Sequence, residues 1–358
     1  AEYIIDNSRQ ATIEAICKVP AGEYCNEMCL DGYDEPIILQ ARMTVGADKV
    51  HVDFAGSSPQ SRYGINVVAN YTEAYSCFGM KSIIAPEIPN NHGSLEPFST
   101  SAPEGSILNP VWPAPVAARH ILGHCLPDVV IGCLHKAIPD QVVAESGMMW
   151  NPYLRGEHWF DGSPRIWEMF YFQSGGTGAR PTKDGLNATA FPAGIKNIPI
   201  ESAEAVAPTI FWRKELRPNS GGAGKYRGGV GQVVELSSLH DVDMNFQAMF
   251  ERIDNPARGR DGGNSGAAGS AKLKSGRRMR SKGNQVIPAK DRLRLLLPGG
   301  GGFGAPMERL PEAVALDVKS GLVSRTAAAR DYGVAITPSG RINHEKTRVL
   351  RKKARGNK

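Results

Sequence analysis

Nowhere in this sequence do 18 or more apolar residues follow one another, so no membrane-spanning helix is expected. Common signatures of chemistry are missing too. There is no G-x-S-x-G elbow, no H-E-x-x-H helix and no pair of C-x-x-C motifs, which removes the usual hydrolase and zinc patterns. Cysteine is sparse, and the six residues at 17, 25, 29, 77, 125 and 133 do not form a disulfide framework. Cys25 and Cys29 lack a second Cys/His pair at zinc-finger spacing, so all six read as reduced thiols of a cytoplasmic protein. The first six residues have no basic stretch leading into an apolar one, and no secretory leader is expected there.

A charge excess is lacking as well. The net charge of +6 resides in the segment 341–358, which holds eight basic residues and one acid. Without it, 34 basic residues face 35 acidic ones. The body is therefore no nucleic-acid binder on electrostatic grounds. The segment itself reads as a solvated, disordered end that could touch an acidic partner.

What the chain has in abundance is glycine, 40 of 358 residues, or about 11 % against a usual ~7 %. With 25 prolines this favours a loop-rich, strand-containing protein over a helical bundle. Alternation predicts strands at 36–45 and 49–55, with Val50, Val52 and Phe54 on one face. A short helix is expected over 7–16, and longer helical patterns over 65–84 and 115–138, the latter kinked or divided by Pro127. Strand-like stretches follow at 141–146, 166–173, 206–217, 230–239, 242–250 and 291–297. Helical residues return over 308–331, interrupted by Gly321, with Ser324 as an N-cap. The Gly/Ser-rich basic stretch 258–290 reads as an exposed, mobile excursion. The expected fold is α+β, with a largely antiparallel second half. Its domains would be an α/β region over 1–150, a β-rich region over 151–336 and a disordered basic tail over 337–358.

Three glycine strings stand out. Ser174 to Gly185 holds four glycines beside Arg180, Lys183 and Asp184, a make-up suited either to an anion-holding loop or to a tight turn. It is neither a P-loop, since Thr182 precedes Lys183 and Asp184 follows it, nor a dinucleotide fingerprint, since Pro181 replaces the third glycine. The strings Ser220 to Gly229 and Pro298 to Gly304 permit close backbone approach, but no helix begins at once after either. Elsewhere, His120, His124 and Asp128 recur at four-residue spacing and would share one helix face. Such a face suits a divalent metal, acid–base work or plain packing. Glu251, Arg252 and Asp254 could sit at a cleft mouth or form a structural ion-pair network.

Several of these strings together carry a resemblance. They are Val52-Asp53-Phe54-Ala55-Gly56-Ser57-Ser58-Pro59-Gln60, Pro103-Glu104-Gly105-Ser106, the Gly178-Ala179-Arg180-Pro181-Thr182-Lys183-Asp184-Gly185 loop, and Leu216-Arg217-Pro218-Asn219-Ser220-Gly221-Gly222. The Pro298 to Gly304 turn and Arg330-Asp331-Tyr332-Gly333-Val334 complete the order. The sequence resembles the hydantoinase B/oxoprolinase family from residue 3 to residue 336. Arg119-His120, Gly123-His124, Pro127-Asp128 and Phe250-Glu251-Arg252 are most similar to its N-methylhydantoinase-like branch.

The resemblance implies the B-type subunit of an ATP-dependent enzyme that opens cyclic amides such as hydantoins and 5-oxoproline. It implies an actin-like A-type partner that binds ATP with Mg and activates the substrate. It also implies a divalent metal, Zn or Mn, whose main ligands belong to an N-terminal portion that family members carry ahead of the point where this sequence starts. A complete metal site is therefore not expected in this chain, and no metal ligand is assigned. On this basis His120, His124 and Arg180 are the expected catalytic residues. Gly176, Gly178, Lys183, Asp184, Glu251 and Arg252 are the expected substrate contacts. Two other readings stay open: a subunit of an ATP-dependent ketone carboxylase of the acetone or acetophenone type, and a non-catalytic assembly subunit or inactive truncated relic. Neither a membrane nor a nucleic acid is an expected partner.

Overall fold

The computed structural model describes residues 2–356. It divides into two compact units, Ala1–Val142 and Val143–Lys358. The first contains α1 (Glu2–Ile16), β1 (Gly22–Leu30), β2 (Ile37–Val45), β3 (Val50–Asp53), α2 (Ala69–Ile84), α3 (His92–Leu95), β4 (Phe98–Ser101), α4 (His120–Gly123) and α5 (Leu126–Ala137). In β2 the residues Ile37, Leu39, Ala41, Met43 and Val45 are buried, while Gln40, Arg42 and Thr44 face water. That period of two makes a strand with one apolar face. It pairs antiparallel with β1 along the full length, from Gly22 opposite Val45 to Leu30 opposite Ile37. The sheet order is β1-β2-β3-β4, and β4 joins β3 in parallel because the chain crosses over through α2.

Helix α5 covers this sheet and is buried on every residue from Leu126 to Leu134. Proline stands in its first turn, where the missing N–H has no intrahelical partner to lose. The pattern read over 115–138 is therefore two helices, and Pro127 starts the second instead of kinking one. Helix α2 crosses α5 at Gly79, where a Cβ would stand 2.6 Å from Val130 and 2.8 Å from the Pro127 Cα. The helix expected over 65–84 begins only at Ala69, since Val67 donates its N–H across to Ile107. Strand β1 had no counterpart in the sequence reading.

The second unit carries β5 (Met149–Trp150), β6 (Tyr153–Phe160), β7 (Ser163–Phe170), β8 (Gln173–Ser174), α6 (Ile200–Val206), β9 (Thr209–Leu216), β10 (Gln232–Ser238), β11 (Met244–Met249), β12 (Ser270–Leu273), β13 (Lys282–Ile287) and β14 (Leu293–Leu296). Three helices close it, α7 (Pro311–Lys319), α8 (Arg325–Tyr332) and α9 (His344–Gly356). Two four-stranded antiparallel sheets, β12-β14-β10-β9 and β13-β11-β6-β7, contribute to one hydrophobic core. Val234, Leu236, Leu293 and Leu295 come from the first, and Leu154, Trp167, Phe246 and Ala248 from the second. The α+β class and the antiparallel second half agree with the sequence reading.

Three local expectations fail here. The stretch 141–146 is not a strand. The supposed mobile excursion 258–290 supplies β12 and β13, because Ala271, Leu273, Met279 and Ile287 are buried in the core. The basic tail is helical through Gly356 rather than disordered. Thr347 is buried and accepts from the Ala335 N–H, while Arg351 donates to the carbonyls of Arg309 and Tyr332. In the 308–331 region, α7 and α8 are parted by Gly321 at φ 72°, and Ser324 caps α8 by accepting from the Ala327 N–H.

Candidate functional site

The glycine-rich strings of the second unit meet one another. A Cβ at Gly176 would stand 1.8 Å from the carbonyl oxygen of Gly229, and one at Gly300 would stand 2.0 Å from that of Thr177. At Gly299 the obstacle is the Ser220 carbonyl at 1.8 Å, and at Gly301 the Arg258 carbonyl at 2.1 Å. Every one of these neighbours is backbone, which cannot swing aside as a side chain could. Hydrogen bonds tie the strings into a bundle. Gly176 N–H donates to Pro298, Ala179 to Gly301, Gly229 to Thr177, Gly300 to Gly229 and Gly222 to Gly300, all at 2.8–3.1 Å. Gly175, Thr177, Arg180 and Gly185 also donate to internal carbonyls. These donors, expected to face a ligand, are used within the chain. A Cβ at Gly178 would stand 1.8 Å from the Ala144 carbonyl oxygen, so packing alone requires glycine at both 176 and 178.

The turn after this string is clasped by side chains. Arg180 donates its N–H to the Lys183 carbonyl and its Nη2 to the Asp184 carbonyl at 2.9 Å. The Asp184 carboxylate accepts from both Arg309 Nη1 and Nη2 at 2.7 Å, and from the Arg227 N–H at 2.7 Å. Arg309 is buried and also pairs with Asp317 at 2.8 Å, and Arg227 reaches Asp317 at 3.4 Å. Burial alone would push the Asp184 carboxyl up, but the hydrogen bonds and charge of Arg309 hold it below its usual range. Two cations and two carboxylates thus close on themselves. Lys183, by contrast, is exposed and forms no ion pair among the described residues. It opens onto a cleft of about 520 Å³ lined also by Lys225, Tyr226, Glu308 and Leu310.

Glu251 and Arg252 are buried, and their neighbours are structural. The Glu251 carboxylate pairs with Lys282, and its carbonyl accepts from Trp150 Nε1 at 2.9 Å. Arg252, at φ +66°, reaches Glu145 at 3.0 Å with both side chains 1% exposed. Glu145 accepts as well from Arg258 Nε at 2.6 Å and from the Arg258 N–H at 2.9 Å. Burial works against the Glu145 charge, but Arg252 and Arg258 overcome it and depress its pKa. Of the two readings left open for this cluster, the ion-pair network is the one observed.

In the first unit, His120 and His124 do come together, with ring centroids 5.8 Å apart and edge-on. His124 lies against Tyr75 at 5.4 Å, and Tyr75 stacks on Tyr71 at 4.5 Å. Burial, helped by His120, pushes the His124 pKa down to about 4, so it is a neutral imidazole at pH 7. A neutral imidazole is competent to bind a metal. However, no group of three or more His, Cys, Asp or Glu side chains is arranged to hold a metal among the described residues, and Asp128 does not complete one. The pair alone does not fit a Zn or Mn site. Half-buried His120 is the more accessible of the two.

The sequence reading missed Arg309, Asp317, Arg227, Glu145 and Lys225. Lys225 and Arg227 were within reach, standing in the second glycine string. The others pair across separations as large as 125 residues, as Arg309 does with Asp184, and no local spacing announces them.

Comparison with known proteins gives a consistent result. The model of the family described as hydantoinase B/oxoprolinase matches residues 1–306. The chain is 33% identical over 98% of its length to the B-type subunit of a putative D-/L-hydantoinase from Pseudomonas sp. (strain NS671), covering 62% of that protein. It is 29% identical to the beta subunit of the caprolactamase of Pseudomonas jessenii over 93% of its length, covering 60% of the relative. The chain thus spans about three-fifths of the length of these curated relatives. The crystal structure of the ATP-dependent caprolactamase from Pseudomonas jessenii superposes with a TM-score of 0.85 at 25% identity, over 97% of this chain and 63% of that one. A nucleotide-free acetone carboxylase structure, at 20% identity and a TM-score of 0.81, shares the fold over 98% of this chain and 55% of its own.

Proposed function

The chain belongs to the hydantoinase B/oxoprolinase family, and we propose that it is part of the B-type subunit of an ATP-dependent cyclic amidohydrolase. Its substrates on this reading are hydantoin- or 5-oxoproline-like rings. The observation that carries the reading is the 33% identity to the B-type subunit of a hydantoinase, sustained over 98% of the chain. An A-type subunit supplies the ATP site with its Mg. Gly176, Gly229 and Gly300, one from each glycine string, direct their N–H groups to neighbouring backbone and not towards a phosphate. In such a reaction the terminal phosphoryl group of ATP passes to the amide oxygen and ADP leaves. Water adds to the ring carbon, the carbon–nitrogen bond breaks with a proton going to nitrogen to leave an acyl phosphate, and a further water molecule hydrolyses that acyl phosphate to carboxylate and phosphate.

Within this chain, His120 is the residue we assign to proton transfer from the first of these waters. His124 has a pKa of about 4, too low for an efficient base at pH 7, and its part is to hold His120 in place.

The test is reconstitution of the full B-type subunit with its A-type partner. ADP release should match ring opening one for one, with no need for bicarbonate, and His120→Ala should lower kcat by about 10²–10⁴-fold. Strict bicarbonate dependence with carboxylation of a ketone would overturn the reading in favour of the carboxylase. Absence of both reactions would favour a non-catalytic subunit.

A further inference from the structure

The cleft beside the 180–185 turn carries the next inference. Its volume of about 520 Å³ lies within the range of small-molecule sites. One wall comes from Thr182, Lys183 and Asp184, the second from Lys225 and Tyr226, and the third from Glu308 to Ala313. The family match ends at residue 306, so that third wall lies past it.

Charge decides what such a cleft can hold. Arg309, Arg227, Asp184 and Asp317 form a closed set of two cations and two carboxylates. The lining charges left over are Lys183, Lys225 and Glu308, a surplus of one positive charge. Neither lysine forms an ion pair among the described residues, and Lys225 Nζ lies 5.9 Å from the centre of the Tyr226 ring. Tyr226, Leu310 and Ala313 give the cleft an apolar side. A surplus of one suits a single carboxylate. A triphosphate would bring several negative charges against Glu308 and leave most of them unmatched.

We propose that this cleft binds a small organic monocarboxylate with a flat or apolar body. The carboxylate lies between Lys183 and Lys225, and the body rests on Tyr226 and Leu310. Asp184 and Arg309 hold the turn that carries Lys183 and do not themselves neutralise the ligand. The site stands on these residues alone, whichever ring the family reaction opens.

Calorimetric titration of the full chain at low salt, with hippurate as the probe, tests this. Hippurate should bind at least tenfold more tightly than its neutral amide, and the double variant Lys183→Gln, Lys225→Gln should erase that preference. Glu308→Gln should tighten hippurate binding several-fold, an effect of the opposite sign that misfolding cannot mimic. The far-ultraviolet spectrum and melting temperature of each variant should match the parent, because all three side chains lie at the surface. No hippurate binding at millimolar concentration, binding indifferent to the two lysines, or tighter binding of inorganic phosphate or ATP than of hippurate would each overturn the proposal.

Discussion

The two-sheet core of the second unit and the bundle of three glycine strings in the same unit are both buried, yet they exclude water by opposite means. In the sheets, Phe246, Leu236 and Leu295 fill space with side chains. In the bundle, Gly176, Gly229, Gly300 and Gly301 leave none to fill, because carbonyl oxygens of neighbouring segments stand where a Cβ would be. The first core tolerates the loss of atoms poorly and the second cannot accept their addition. Composition therefore misleads in a specific way here: a glycine string that looks like a flexible ligand loop is one of the tightest parts of the molecule.

The sharpest way to break this contrast is to add one carbon. Gly176→Ala places a methyl group against the Gly229 backbone and should cost about 3 kcal/mol or more, as read by urea denaturation. A loss under about 1 kcal/mol would show that the bundle yields. Phe246→Ala, the opposite change in the side-chain core, should cost about 3–5 kcal/mol by the same measurement.

Smaller effects follow at the borders of the two regions. Arg309→Met removes the bidentate partner of Asp184 and leaves buried Asp317 with Arg227 at 3.4 Å, and should cost about 3 kcal/mol near pH 7. Because the Asp184 pKa is depressed in the folded protein, its stabilisation is present above the ordinary Asp value near 3.9 and is lost as pH falls below it. The gap between parent and variant should therefore narrow in acid, and a gap that widened would refute the clasp. In the first unit His124 obeys the side-chain rule with a proton in place of a carbon. Its folded pKa of about 4 lies below the ordinary 6.5, so stability is full above pH 6.5 and falls as pH drops towards 4. His124→Phe should remove up to about 3 kcal/mol of that pH dependence, measured by melting curves across the interval.

How much of this could be read beforehand follows from range. The strands β2, β10, β11 and β14 were legible because burial alternates, or is continuous, within a few residues of chain. The N-cap at Ser324 is equally local. The helices α4 and α5 were read as one pattern kinked or divided by Pro127, and the place of that proline in a first turn decides for division. The tail misled for the reverse reason. Its composition is that of a solvated segment, but Thr347 and Arg351 dock it onto 309–335, and those partners are distant.

The site was legible as residue types and not as roles. Lys183 and the histidine pair were visible, but the clasp of Asp184 by Arg309 and the burial of Glu251 and Arg252 depend on which segments the fold brings together. The glycines were conspicuous for the same reason that their purpose was hidden. Gly176, Gly229 and Gly300 are spread over three strings, and each is explained only by the backbone of another.

The most direct test of that account is native-state hydrogen exchange resolved to single amides. The N–H groups of Gly176, Ala179, Gly229 and Gly300 should exchange as slowly as those at the centre of β10, because they open only when the unit unfolds. Exchange of these amides at the rate of an exposed loop, with β10 still protected, would contradict the account and return the string to the status of a mobile ligand loop.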